Sequence, residues 1–539
     1  MHKMNIFMGL TNQEDQLDAH LVERGVSTKR VFDHPVGLFV LFFTEMWERF
    51  SYYGMRALLT LFLVSELAKG GWEWTREDAM QLYGWYTGLV YLTPLIGGMI
   101  ADRLTGYRKA VVWGAFIMTL GHASMALEGV GSSFFYLGLV LMILGNGLFK
   151  PNISSIVGQL YPDNSPKKDA AYTIFYMGIN AGAFLGMLLC GYIGEKIGWH
   201  YGFGLAGIFM FFGMLQFYFA QRIFGVLGET PKETKAREIT DTVTDTSAAK
   251  AETLPKRVVR DRLIVIIVLT LFSVFFWMSF EQAGGSMSIF AKDYTQRVLE
   301  GGAATTFKWV DALLTVFPLL IVTWVLTSLA RRIASEYPLT IFFTALSFLV
   351  IWCLGIWKIY REFYALETEV AASWFQILNS FFIITLATPF SKMWEKVFNP
   401  SGPIKFALGL ILLGVGFVAL AYGSRNIPQG ALTAQVSMIW LILAYFFHTA
   451  GELCLSPVGL SYVSKLSPQR LVGLIFGVWF CSSALANFLA GLSGSYIDKI
   501  SSMYSISTFF MVFALIPGVA GILLIILSPV LRRMMHGIH

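Results

Sequence analysis

Thr44-Glu45-Met46-Trp47-Glu48-Arg49-Phe50-Ser51-Tyr52-Tyr53-Gly54-Met55-Arg56 places four charged side chains inside an apolar run that begins near Gly37 and continues through Leu58, Leu59, Leu61, Phe62 and Leu63. A helix rising ~1.5 Å per residue over that run is long enough to cross, with some tilt, a hydrocarbon layer ~30 Å thick. At helical spacing Glu45, Arg49, Tyr52 and Arg56 fall at i, i+4, i+7 and i+11 and make one polar stripe. Such a stripe cannot face lipid. Ionisable groups at membrane depth turn toward a bundle interior or a wet cavity and pair there, so they mark function by default. A purely structural pairing of Glu45 with Arg49 would leave Glu48 and Arg56 as further cost with no return.

The rest of the chain is a setting for that helix. Of 539 residues, 55% are hydrophobic and 14% charged, and the mean hydropathy is +0.61, which defines an all-α polytopic membrane protein. Apolar spans of about 20 residues predict fourteen transmembrane helices near 36–65, 81–102, 108–129, 133–159, 169–195, 200–223, 261–292, 309–330, 338–358, 371–396, 404–424, 433–463, 470–497 and 504–531. Backbone polar groups in lipid must be satisfied within each segment, so these spans are helices, and no separate soluble domain of useful size remains.

The first 33 residues hold no apolar core suited to a cleaved signal peptide, so the N-terminus is expected to be retained and cytoplasmic. Arg103, Arg108, Lys109, Lys167, Lys168, Arg331, Arg332, Lys392, Lys396, Lys405, Arg532 and Arg533 then all fall on the cytoplasmic face, as the positive-inside tendency requires. The net charge of +6 is therefore a topology signal, and nucleic acid is not an expected partner. Cys190, Cys353, Cys454 and Cys481 stand singly with no C-x-x-C spacing, so neither a disulfide framework nor a metal site is indicated. His122 and His448 read as hydrogen-bonded core residues; His448 lies four residues before Glu452 on the same face, which leaves it a tuning role toward that acid.

A polar stretch near Leu227 to Arg262, with both charge signs interspersed, reads as a solvated linker. The expected organisation is a cytoplasmic segment at 1–33, a six-helix bundle at 34–224, a linker at 225–260, a second six-helix bundle at 261–531 that carries an inserted lateral hairpin at 309–358, and a cytoplasmic tail at 532–539. Those proportions suit a two-bundle transporter with a substrate site near the midplane. Besides the first helix, Lys150, Glu281 and Glu452 lie at depth, while most other spans carry no ionisable residue between their ends. With Glu45, Glu48, Arg49 and Arg56 that makes four acids and three bases. One carboxylate is left without a fixed partner, and a proton acceptor there is physically reasonable.

The residues also resemble a known family. Glu45-Met46-Trp47-Glu48-Arg49-Phe50, continuing to Arg56, resembles the first-helix signature of the proton-dependent oligopeptide transporters, a branch of the major facilitator superfamily. Gly97-Gly98-Met99-Ile100-Ala101-Asp102-Arg103 with Gly106, Gly147-Leu148-Phe149-Lys150-Pro151-Asn152, and Phe175-Tyr176-Met177-Gly178-Ile179-Asn180 are similar to further signatures of its first half. Phe280-Glu281-Gln282, Asn379-Ser380-Phe381-Phe382-Ile383-Ile384 and Gly451-Glu452-Leu453-Cys454-Leu455-Ser456-Pro457 are similar to those of its second. The resemblance implies a fold of two six-helix bundles plus the extra hairpin, and a symporter that imports di- and tripeptides. It implies that Glu45, Glu48 and Arg49 couple protons, that Arg49, Arg56 and Lys150 hold the peptide carboxylate, and that Glu452 receives its ammonium. Asn180 and Asn379 would offer amide contacts, and Tyr53, Tyr91, Ser456 and Trp479 would line the pocket. Arg56, Lys150 and Glu281 would form a gate across the bundles, with Glu281 a further candidate proton carrier. No cofactor is implied, since the proton gradient drives the cycle.

Two departures qualify the resemblance. Where animal relatives carry a histidine in helix 2, this chain reads Tyr83-Gly84-Trp85, so coupling rests on carboxylates. Bacterial relatives usually place two extra spans between the bundles; here the extra pair is 309–330 and 338–358, with no ionisable residue between Ala312 and Ala330 or between Leu339 and Trp357. That pattern predicts a lipid-facing hairpin outside the transport path, free to brace the bundle or to contact another membrane protein. The expected location is a bacterial inner membrane with both termini cytoplasmic. The alternative is a relative that moves another small solute, such as nitrate, an amino-acid conjugate or a drug-like peptidomimetic. An enzyme is not expected: no nucleophile with a base and no clustered ligands stand at depth.

Overall fold

The computed structural model describes residues 15–162, 165–230, 233, 255–468 and 471–538. Along them run fourteen long helices: α1 (Val36–Val64), α2 (Arg76–Ile100), α3 (Tyr107–Met125), α4 (Ser132–Gln159), α5 (Lys167–Lys196), α6 (Trp199–Ala220), α7 (Lys256–Phe280), α8 (Gly301–Ile333), α9 (Pro338–Tyr364), α10 (Ile377–Lys396), α11 (Gly402–Gly423), α12 (Ile439–Leu466), α13 (Val472–Gly494) and α14 (Ile506–Met534). They follow the predicted spans in order. Eleven helical stretches among the described residues are long and apolar enough to cross a membrane on those grounds alone. The shortfall is α1, α2 and α3, and in α1 it is the charged stripe that interrupts the apolar run. Most of the predicted linker at 225–260, residues 1–14 of the N-terminal segment and His539 lie outside the described residues.

The described residues within 1–55, 93–243 and 299–368 form one compact unit, and those within 56–92, 244–298 and 369–539 form another. In the first, α3 packs along α4 and against α6, α5 packs on α6, and α9 lies on α6. The later part of α2 meets α4 closely. A Cβ on Gly97 would run into the Gly147 carbonyl, and one on Gly147 would lie 2.8 Å from Thr93 Cβ. The glycines of two sequence signatures thus let two backbones touch, as small residues do in membrane bundles. Gly106, with φ 70°, turns the chain after the π-helical turn Ala101–Thr105. In the second unit α11 packs along α14 and α12, α7 against α13 and α14, and α10 against α12.

The hairpin departs from expectation. It belongs with the first unit, and α8 buries Thr315, Leu319, Val322, Leu326 and Leu329, a stripe at helical spacing, while Leu313, Phe317, Leu320 and Trp324 stay exposed. On α9 the Phe348 ring sits 5.6 Å from both Phe43 and Trp47 of α1, so the hairpin packs against the helix that carries the charged stretch. It also holds buried charges that the windowed reading missed. The helices run longer than predicted, from Gly301 and to Tyr364, and Asp311 and Lys358 stand one residue beyond the charge-free windows that begin at Ala312 and end at Trp357. These two form a buried ion pair, the Lys358 ammonium rests 5.3 Å from the Tyr192 ring centroid, and Glu362 is buried one turn further on.

Candidate functional site

The α1 stretch folds as its spacing dictates. Arg49 Nε lies 3.2 Å from Glu45 Oε1, one helical turn back. Arg49 also binds the neighbouring Glu48 carboxylate through two nitrogens, with Nη2 donating to Oε1 at 2.7 Å. Its guanidinium lies 5.3 Å and 5.8 Å from the ring centroids of Tyr52 and Tyr53. All three charges are buried, with Glu48 at 0%, Arg49 at 2% and Glu45 at 3% exposure. Transfer of charge from water is costly unless it is paired and hydrogen-bonded. Here a single guanidinium serves two carboxylates, and Glu45 Oε2 has no hydrogen-bond partner among the described residues.

Asn146 supplies a further donor, its Nδ2 bonding Glu48 Oε1 at 3.0 Å. Sequence reasoning missed this residue. The signal was present, because Asn146 precedes Lys150 by four positions and so shares its face of α4. Lys150 is itself half-buried, and its charge acts on Glu45. Asn180, on α5, is buried and donates its amide to the Tyr176 carbonyl of its own helix at 3.0 Å.

In the second unit, Arg56 Nη1 donates to Glu281 Oε2 at 2.8 Å, and both residues are buried. Tyr83 donates its hydroxyl to the same carboxylate oxygen at 3.3 Å. The position read as the missing histidine therefore carries a hydroxyl aimed at a carboxylate. A separate group joins α10 to α12: Asn379 Nδ2 donates to Glu452 Oε2 at 2.9 Å and reaches Thr449 Oγ1 at 3.1 Å. Thr449 was also missed, although it stands three residues before Glu452 on one face. Ser456 Oγ is buried without a hydrogen-bond partner among the described residues, and Trp479 packs over Gly459, where an added Cβ would lie 2.7 Å from the indole. Tyr91 is half-buried on α2. The expected hydrogen bonds of His122 and His448 are not made. Both rings are buried with neither nitrogen partnered among the described residues, and His448 lies 4.4 Å from the Phe417 ring.

Chemically, this arrangement offers a carboxylate pair sharing one guanidinium, a second ion pair with a hydroxyl on its carboxylate, and a carboxylate held by a neutral amide. The first two can exchange a proton or an anion for an existing partner. The third can accept a cation.

Residues 108–358 and 340–512 match the model of the POT family. The chain is 31% identical over 560 residues to a peptide transporter of Yersinia enterocolitica, with 94% of this chain and 96% of that one covered. It superposes on a crystal structure of the peptide transporter POT in complex with sulfate with a TM-score of 0.73 at 30% identity, covering 97% of this chain and 99% of that one. A POT family transporter in complex with 5-aminolevulinic acid gives a TM-score of 0.73 at 26% identity, over 94% of this chain and 99% of that one.

Proposed function

The chain belongs to the POT family, and from that premise we propose that it is a proton-coupled symporter, importing di- and tripeptides across a bacterial inner membrane by alternating access, with both termini cytoplasmic. The observation that carries this reading is the buried group of Glu45, Glu48, Arg49 and Asn146, two carboxylates on one guanidinium within an apolar helix. Protonation of either carboxylate releases part of the Arg49 guanidinium, and a free guanidinium is a forked donor suited to a peptide carboxylate. Proton and peptide are then linked through one side chain. Lys150 and Arg56 assist the carboxylate, and the pairing of Arg56 with Glu281 is a contact that a passing anion or proton can break and reform.

Glu452 takes the peptide ammonium, with Asn379 holding its carboxylate in place. Asn180 and Asn379 offer amide contacts, and Tyr53, Tyr91, Ser456 and Trp479 line the pocket. A zwitterion with poles a few ångströms apart suits cationic groups on one side and a carboxylate on the other. Proton carriage falls to Glu45 and Glu48, with Glu281 as a third carboxylate in the relay. Because these groups interact, their titration belongs to the set and not to one residue.

The test is uptake of labelled dialanine into proteoliposomes under an inward proton gradient. The intact chain should accumulate peptide; Glu48→Gln should lose accumulation yet keep counterflow, and Glu452→Gln should lose both. Absence of accumulation for any di- or tripeptide sinks the substrate assignment. A second reading, import of a small amine-bearing acid, draws on the relative bound to 5-aminolevulinic acid. The same vesicles loaded against labelled 5-aminolevulinic acid decide between the two.

A further inference from the structure

Where α6 ends and the α8–α9 turn begins, Tyr218, Phe219 and Arg222 face Glu336, Tyr337 and Thr340 across a groove of about 490 Å³. We infer that this groove binds the phosphate of an anionic phospholipid headgroup from the inner leaflet.

The polar lining offers donors at Tyr218, Gln221, Arg222, Tyr337 and Thr340. Thr340 is 1% exposed, lines the groove, and its hydroxyl has no hydrogen-bond partner among the described residues. It stands in the first turn of α9, where the N–H groups of Leu339 and Thr340 precede any intrahelical acceptor. Unpaired donors and the positive end of a helix dipole together favour an anion. The one carboxylate present, Glu336, is already answered by Lys29 Nζ at 2.6 Å, and that ammonium also donates to the Arg332 carbonyl at 3.1 Å. Arg222 is exposed at the groove, where a ligand can reach its charge. Arg222 and Glu336 are the charged residues of the lining, and with Lys29 set against Glu336 the charge left over is that of Arg222.

A free phosphate would satisfy these donors, but the walls suit a lipid. Tyr218, Leu339 and Phe342 are all about half exposed beside the groove, and Phe219 stacks on Phe343 at 5.5 Å, giving acyl chains an apolar track along α6 and α9. Basic pockets between helices at the cytoplasmic side are where anionic headgroups bind, and the proposed topology puts this end there. The inference goes beyond transport and stands whatever the solute.

The test is native mass spectrometry of the full-length chain in detergent, offered phosphatidylglycerol, phosphatidylethanolamine or inorganic phosphate. The unaltered protein should keep one phosphatidylglycerol with about tenfold preference over phosphatidylethanolamine. Arg222→Gln and Thr340→Val, each checked for an unchanged melting temperature without lipid, should each cut that occupancy about fivefold, the loss of one contact at a charged surface. Arg222→Lys should retain it. Equal retention of the two lipids by the unaltered chain overturns the inference by itself, and so does full occupancy in folded Arg222→Gln. Displacement of the lipid by millimolar inorganic phosphate also overturns it, in favour of a free-phosphate site.

Discussion

His34 is a titratable side chain that folding buries at the edge of the membrane span, just before α1 begins. Its Nδ1 lies 2.8 Å from the Tyr161 hydroxyl. Burial above all, with the Lys167 ammonium adding to it and Asp33 opposing, holds the imidazole below its ordinary 6.5. The sign follows from linkage: between the folded value and 6.5 the unfolded chain binds a proton that the folded chain does not. The contribution of His34 to stability is therefore complete above pH 6.5 and is lost as the pH falls through 6.5 toward the folded value. The melting temperature of the purified protein should drop below that pH, and drop less in His34→Gln. Parallel curves for the two proteins would refute the assignment. Legibility at this scale depends on distance along the chain. The contact of Arg49 with Glu45 is a consequence of i, i+4 geometry and could be read directly. The Asn146 donor to Glu48 comes from 98 residues away and needs α1 and α4 to be packed before it can be seen.

At the scale of an element, the α8–α9 hairpin carries the clearest lesson about apolar windows. Its central spans hold no charge, which suggested a lipid-facing insert, yet helices extend past such windows whenever flanking polar residues find partners in the bundle. Asp311 and Lys358 find each other, and the Tyr192 ring covers the ammonium. Hydropathy records neither event, because each depends on which neighbour covers the helix. A buried ion pair is weak evidence for stability in itself, but removing one partner strands the other, at about 3–5 kcal/mol. Lys358→Met alone should thus lower the melting temperature strongly, and adding Asp311→Leu should restore most of the loss, since an apolar pair of similar size needs no compensation. Dialanine uptake per folded molecule should survive in the double variant. If the double variant is as unstable as the single one, the pair is not what anchors the hairpin.

At the scale of the whole molecule, the number and order of the helices were legible because lipid leaves the backbone one solution per apolar span. Composition cannot supply which residues distant in sequence meet. Arg56 and Glu281 are separated by 225 positions and bond at 2.8 Å. Tyr83 adds a hydroxyl to the same carboxylate at 3.3 Å, and this third member sets the outcome of a charge swap. Glu281→Arg or Arg56→Glu alone leaves two like charges buried together, so each should reduce uptake by far more than about tenfold, a barrier or population change above 1.4 kcal/mol. The reversed pair in one chain restores the attraction, but it turns the Tyr83 hydroxyl from donor to acceptor, against a guanidinium that offers a different geometry. Recovery should therefore be partial, and adding Tyr83→Phe to the swapped chain should cost little further uptake, whereas Tyr83→Phe in the native arrangement should cost severalfold. Rates of dialanine uptake, normalised to reconstituted protein, separate the cases: full recovery by the swap would make Tyr83 a bystander, and no recovery would mean that the pair's orientation, and not its attraction, is what the cycle requires.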